Sequence, residues 1–302
     1  MSRLVSLVET GLRQPTTPQI ANAAGQLQAL LGGDAVLFYG SALRTGDLDG
    51  VLDFYVLWTD MQGRSRRSAT SLLWPDVSYH EFPVDGLTVR AKVAAMPMAA
   101  FERMASGETL DTTIWTRFSQ PSRLLFARSP QVAERVSHAI ATCVRTATQF
   151  ALVLGPASGR PADYWSALFA QTYGAEFRIE NQSRRRDILA MDPDYYDKAL
   201  RYAWAELGFV SQAEEAELTP AMTQRLRRTW TGRWRNRRLA GKGLNVARLV
   251  KASRTFDGAA SYALWKIERH SGVHIPLTPW REQHPVLAAP GVLFRLWQAR
   301  RR

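Results

Sequence analysis

The sequence predicts an α+β protein: a mixed sheet with flanking helices, a mostly helical second part, and a basic amphipathic tail. Three observations lead there. Short strand-like runs cluster between residues 35 and 93, after a helical pattern that ends in Gly32-Gly33. A long apolar stripe at helical spacing begins at Pro130. The cations concentrate at the far end: residues 221–302 hold 18 Lys and Arg against 3 Asp and Glu. The expected divisions are 1–129, 130–220 and 221–302.

Each element has its own signal. Gln19 to Leu31 carries apolar residues near helical spacing, and the glycine pair stops it. Ala35–Tyr39 is a short apolar run, and Val51–Trp58 alternates as a half-buried strand does. The loop Leu43–Gly50 carries Asp47 and Asp49, acids beside glycine that suit a turn. Gly63–Ser68 is basic and polar, the mark of a solvated loop. Trp74–Phe82 reads as an irregular segment entering a strand. Leu87–Val93 alternates, with Arg90 and Lys92 on one face. Pro97–Ser106 reads as a helix, and Ser122–Ala127 as an extended piece. In Pro130–Leu154, the residues Val132, Val136, Ile140, Val144 and Ala147 form one stripe, which marks core. Ala162–Gly174 and Tyr195–Gly208 read as further helices with aromatic core residues. Leu244–His270 reads as one long amphipathic pattern.

Composition bounds the class. Of the net charge of +12, the last 82 residues carry +15 and the first 220 carry −3. A segment of that kind seeks polyanions, either nucleic acid or an anionic membrane face. Its opening interleaves Arg225, Arg227, Arg228, Arg233, Arg235, Arg237 and Arg238 with Trp230 and Trp234. Arginine with tryptophan suits the headgroup region of a bilayer. It equally suits single-stranded nucleic acid, by stacking plus charge. Cys143 is the only cysteine, so no intrachain disulfide forms and a reducing, cytoplasmic compartment fits. The start is too polar for a secretory signal, and no apolar run reaches the roughly 20 residues of a membrane span. Histidine–metal spacing, thiolate zinc clusters, glycine-rich phosphate loops and the G-x-S-x-G elbow are all absent from the sequence.

One constellation carries chemistry. Val36-Leu37-Phe38-Tyr39-Gly40-Ser41 is followed by Val51-Leu52-Asp53-Phe54-Tyr55. Two strands joined by a loop bring Ser41 and Asp53 to the same end of a sheet. Glycine admits backbone close to a phosphate, serine adds a hydroxyl, and a carboxylate beside phosphates holds Mg²⁺ through hard oxygen ligands. The same spacing also reads as a plain β-turn-β pair in which Asp53 only caps a turn.

Gly-Ser, a loop, then Asp between apolar residues resembles the signature of polymerase-β-type nucleotidyltransferases. That pattern carries a second carboxylate two residues on, where this chain has Tyr55. Tyr39-Gly40-Ser41 with Leu52-Asp53-Phe54 is similar to a particular branch, the mitochondrial-type (translocator-maintenance family) phosphatidate cytidylyltransferases, which are peripheral CDP-diacylglycerol synthases. That branch also reads Leu-Asp-Phe with no acid two positions on. Further segments follow in the family's order from about Phe38 to about Glu268: a basic residue on the Leu87–Val93 strand, matched by Arg90; Arg117 four residues before Pro121; and Phe177-Arg178 after Tyr173.

The resemblance implies a nucleotidyltransferase sheet and a winged-helix-like second part. It implies Mg²⁺-dependent transfer from CTP to phosphatidate, with Asp53 on the metal. Tyr39, Gly40 and Ser41 would meet the triphosphate, and Arg90, Arg117 and Arg178 the phosphates. Asp47, Asp49 or Glu81 would complete a two-metal site, or one ion on Asp53 is enough. The basic tail, residues 225–302, would hold the enzyme at an anionic membrane surface, on its inner face. Other acceptors, namely another lipid phosphate, a protein or RNA, and a non-catalytic scaffold that binds without reacting, are the alternatives.

Overall fold

A computed structural model describes residues 2–60, 74–175, 188–210, 216–255, 258–283, 288 and 290–291. Arg178, the basic stretch 63–68, Arg184–Arg186 and the closing residues 292–302 lie outside them.

The chain is α+β, with one five-stranded mixed sheet in the order β3-β4-β2-β1-β5. Helices α1 (Arg3–Leu12) and α2 (Pro18–Leu31) precede β1 (Ala35–Tyr39). Pro18 opens α2, and Gly32 closes it in the left-handed conformation at φ 59°. A short helix α3 (Ser41–Thr45) leads to β2 (Val51–Trp58), then β3 (Asp76–Val84) and β4 (Leu87–Pro97). Both β1 and β2 begin and end where the sequence predicts. The segment read as entering a strand does so at Asp76, and the strand is the sheet edge β3. Asp85 and Gly86, at φ 49° and 77°, make the two-residue turn that pins it to β4. Pro83 is tolerated there because β3 is an edge strand.

Helix α4 (Met98–Ala105), the one-and-a-half-turn α5 (Thr113–Phe118) and β5 (Arg123–Ala127) follow. Next come α6 (Pro130–Leu154), α7 (Pro161–Ala175), α8 (Pro193–Glu206), α9 (Gln224–Thr255), α10 (Ala259–Ser271) and α11 (Pro279–Gln283). Ser129 caps α6 by accepting from the backbone N–H of Val132 at 3.3 Å, and all five residues of the predicted stripe are buried.

The continuous apolar run of β1 is explained by cover on both faces of the sheet. Val36, Phe38, Leu52, Phe54 and Val56 pack on Ile20, Ala23, Ala24 and Leu27 of α2. Ala35, Leu37, Tyr55 and Leu57 face the other way. They join a larger core that runs without a break through α1, α4, α5 and α6 into α7, α8 and the start of α9. Among the described residues the second part is helical, and its one β-bridge joins Gly159 to Leu218.

The tail departs from expectation in two ways. The pattern over 244–270 is two helices rather than one, because Gly258 turns left-handed at φ 79° and starts α10. The indoles of Trp230 and Trp234 are not at the surface. They are buried, with ring centroids 4.8 and 5.8 Å from that of Phe150 in α6. Arg237, a turn further on, is also buried. It donates to the carbonyls of Gly107 and Thr109 and lies 4.8 Å over the Phe150 ring. Burial, then the neighbouring Arg233, lowers its pKa to about 10. Arg225, Arg227, Arg228, Arg235 and Arg238 remain exposed.

Candidate active site

Strand pairing makes the site. β1 and β2 run antiparallel with Tyr39 opposite Asp53. β2 and β4 run parallel with Asp53 opposite Lys92, and β3 pairs with β4 so that Tyr79 stands opposite Lys92. Residues in register share a face, so Tyr39, Asp53, Lys92 and Tyr79 form one transverse row across four strands. The next row toward the strand start of β4 is Val51, Arg90 and Glu81. The expected meeting of the glycine turn with the carboxylate is therefore present. Gly40 follows directly on Tyr39, and a Cβ there would stand 2.9 Å from Oδ2 of Asp53.

Gly40 has φ 98° and ψ −163°, a region open essentially to glycine alone. It turns the chain from the end of β1 into α3 and leaves the carboxylate uncovered by any side chain from this residue. Ser41 is exposed at the start of α3, while Asp53 and Tyr39 are half-buried. A bare backbone beside a carboxylate is a cradle that a metal-bound phosphate fits.

Arg117 reaches the same face from α5. Its Nη1 donates to the Tyr55 hydroxyl at 3.2 Å. The rings of Tyr39, Tyr55 and Phe118 pack at 5.0–5.5 Å and hold α5 against the sheet. Arg44 of α3 donates to Gln120 at 3.4 Å and ties the glycine turn to the end of α5.

Arg90 is placed one row away from Asp53. It faces Glu81 at 3.7 Å and lies 5.4 Å over the ring of Trp265. Lys92, on the same strand face, stands directly in register with Asp53. The alternation of Leu87–Val93 showed that both cations share a face. Only the parallel register shows which of them is beside the acid.

Two of the other candidate acids are engaged within their own elements. Glu81 accepts from the Tyr79 hydroxyl at 2.6 Å, and burial followed by that bond pushes the phenol's pKa up. Asp47 accepts from the backbone N–H of Asp49 at 2.8 Å, the turn-forming role its sequence context suggests. Among the described residues no three or more His, Cys, Asp or Glu side chains are grouped to hold a metal ion. Asp53 as a single carboxylate would leave an ion to take most of its oxygens from nucleotide and water, as Mg²⁺ commonly does.

Helix α10 lies against this end of the sheet. The Tyr262 ring is 5.5 Å from that of Tyr79, and burial, then the charge of Asp53, raises the Tyr262 pKa. Arg269 donates to the Asp49 carbonyl at 2.7 Å. Nothing in the tail's amphipathic pattern distinguished this location from a surface one.

Among the described residues no helix is long and apolar enough to cross a membrane. Comparison with protein-family models and with curated proteins yields no match.

Proposed function

We propose that the protein is a Mg²⁺-dependent nucleotidyltransferase that joins CTP to phosphatidate, giving CDP-diacylglycerol and pyrophosphate at an anionic membrane surface. One observation carries the reading: a glycine turn with no side chain, 2.9 Å by its absent Cβ from a half-buried carboxylate, with a lysine in register beside it. The choice of CTP and phosphatidate within that class rests on the resemblance of Tyr39-Gly40-Ser41 and Leu52-Asp53-Phe54 to the cytidylyltransferase branch.

The chemistry asks little of a general base, because the acceptor phosphate is already anionic. An oxygen of the lipid phosphate bonds to the α-phosphorus of CTP. The bond from that phosphorus to the bridging oxygen breaks, and the electron pair leaves with pyrophosphate. Catalysis is then positioning and charge neutralisation. When bound, Mg²⁺ supplies neutralisation of the phosphate oxygens and a fixed geometry for them.

Asp53 would hold the ion. The backbone at Gly40 and the hydroxyl of Ser41 would receive the triphosphate, with Tyr39 at its edge. Lys92 and Arg117 would neutralise phosphate charge from the row of Asp53 and from α5. Arg90 would do so from one row further out, and Arg178, outside the described residues, is the remaining candidate cation. The exposed arginines of α9 would meet the anionic surface. Trp230 and Trp234 have no part in that contact, being core residues.

The test is incubation of labelled CTP with Mg²⁺ and phosphatidate vesicles. Label should become lipid-soluble with equimolar pyrophosphate release, and Asp53→Asn should abolish both. Label on RNA or protein instead would change the acceptor and keep the class. Transfer from no nucleotide to any acceptor would leave a binding scaffold.

A further inference from the structure

Helix α10 runs from β3 past Arg90 of β4 to the turn that precedes β2. At its start, a Cβ on Gly258 would lie 2.7 Å from the Tyr79 carbonyl oxygen, so only glycine allows so close an approach. One turn on, Tyr262 packs on Tyr79. Trp265 follows, with its ring 5.4 Å from the Arg90 guanidinium on one side and 5.3 Å from that of Arg269 on the other. At the far end Arg269 donates to the Asp49 carbonyl and stands 3.7 Å from the Asp47 carboxylate.

The way this helix is attached matters as much as its place. Of its buried apolar residues Ala260 and Leu264, Leu264 packs with Ile275, Ile267 and Val273, a small cluster separate from both cores of the protein. Among the described residues that cluster ties α10 to the chain just after it. Its hold on the sheet is aromatic and polar. The Arg269–Asp47 pair is 41% and 48% exposed at its two side chains, so with the bond to the Asp49 carbonyl it makes a reversible fastening rather than a permanent one. An element held this way opens more readily than one whose apolar face is part of the core.

We propose that α10 is a detachable cover over the candidate nucleotide site, latched shut by Arg269 on the Asp47–Asp49 turn. The inference rests on the nucleotidyltransferase reading. Closed, the helix sets Trp265 against Arg90, one of the cations assigned to phosphate, and packs Tyr262 on Tyr79, which stands in the row of Asp53 and Lys92. A nucleotide needs that space and those groups, so the closed form excludes it. The apparent affinity is then reduced by the fraction of molecules that are open.

The experiment uses the full chain and reads two quantities separately. Hydrogen exchange of the α10 amides reports whether the cover is open, and titration with Mg²⁺ and CTP reports the site. Arg269→Glu sets an acid against Asp47. It should speed exchange in Tyr262–Ser271 about tenfold and tighten nucleotide binding about fivefold, since closure no longer competes. The double variant Asp47→Arg with Arg269→Glu restores the ion pair with charges reversed but not the donation to the Asp49 carbonyl, and should return both readouts part of the way to the parent.

Unchanged exchange in Arg269→Glu overturns the latch. Faster exchange with unchanged or weaker binding overturns the cover and makes α10 a wall of the site. Failure of CTP to bind both the parent and a variant with open α10 overturns the nucleotide reading, and the cover with it.

Discussion

Gly40 and Asp53 are so close that a single methyl group on the glycine would press on the carboxylate, 2.9 Å from Oδ2. Gly40→Ala should therefore act twice. The backbone conformation at φ 98° and ψ −163° costs a non-glycine residue about 1–3 kcal/mol. The displaced carboxylate should also weaken Mg²⁺-dependent nucleotide binding or turnover by up to about 100-fold, as a misplaced catalytic group does. Calorimetric unfolding reads the first effect and a nucleotide titration the second. Wild-type binding in a folded Gly40→Ala protein would remove the glycine turn from the site.

Asp53→Asn keeps the shape and deletes the charge. Beyond the loss of transfer, it should change Tyr262. A nearby carboxylate disfavours phenolate, so the Tyr262 pKa should fall when the charge goes, while burial still holds it above the ordinary tyrosine value. Ultraviolet difference titration, with Tyr262→Phe as the reference, measures this without any substrate.

Lys92 and Arg90 share a strand face but not a role. Lys92→Met should lower turnover by about 100-fold, the usual cost of removing a group that neutralises developing charge. Arg90→Met should cost several-fold less, because its guanidinium sits a row away from Asp53 and faces Glu81. Steady-state kinetics on the two variants rank them, and the reverse order would move the phosphate site toward β3.

The beginning of α9 belongs to the core. Trp230→Ala should destabilise the protein by about 3–5 kcal/mol, the range for truncating a buried aromatic side chain. Arg237→Met should cost about 2 kcal/mol, since the carbonyls of Gly107 and Thr109 lose their buried donor. Urea unfolding measures both. Arg228→Ala, at an exposed position, should stay within about 0.5 kcal/mol of the parent.

Glu206 gives the fold a pH dependence. Burial raises its pKa, but bonds from Ser2, the two from Arg145 and the Leu4 backbone N–H outweigh this, and the net shift is downward. A carboxyl with a depressed folded pKa stabilises above its unfolded value of 4.5, and the gain is lost as pH falls through the folded value. Glu206→Gln should therefore cost about 1–2 kcal/mol near neutral pH. The gap from the parent should close as the medium is acidified below about pH 4, read from unfolding curves across that range.

Local signals made β1, β2 and α6 legible in the sequence. An unbroken apolar run, a period of two and a stripe at helical spacing each follow from the element's own geometry. The meeting of Gly40 with Asp53 was also legible, because two adjacent antiparallel strands leave few registers once their apolar faces are fixed. Lys92 was not. Its place beside Asp53 comes from the parallel pairing of β2 with β4, which skips over β3, and nothing in a local pattern specifies a partner strand.

The tail marks the same limit from the other side. Its charge and its alternation of arginine with tryptophan are properties of the sequence alone. The burial of Trp230 and Trp234 depends on Phe150, some eighty residues earlier. Tryptophan among arginines shows that a helix carries large apolar side chains as well as charge, and the sequence determined that much here. Whether those side chains meet lipid, the core or the mouth of a site was decided by the surfaces that folding brought opposite them, since burial of apolar area has no direction of its own.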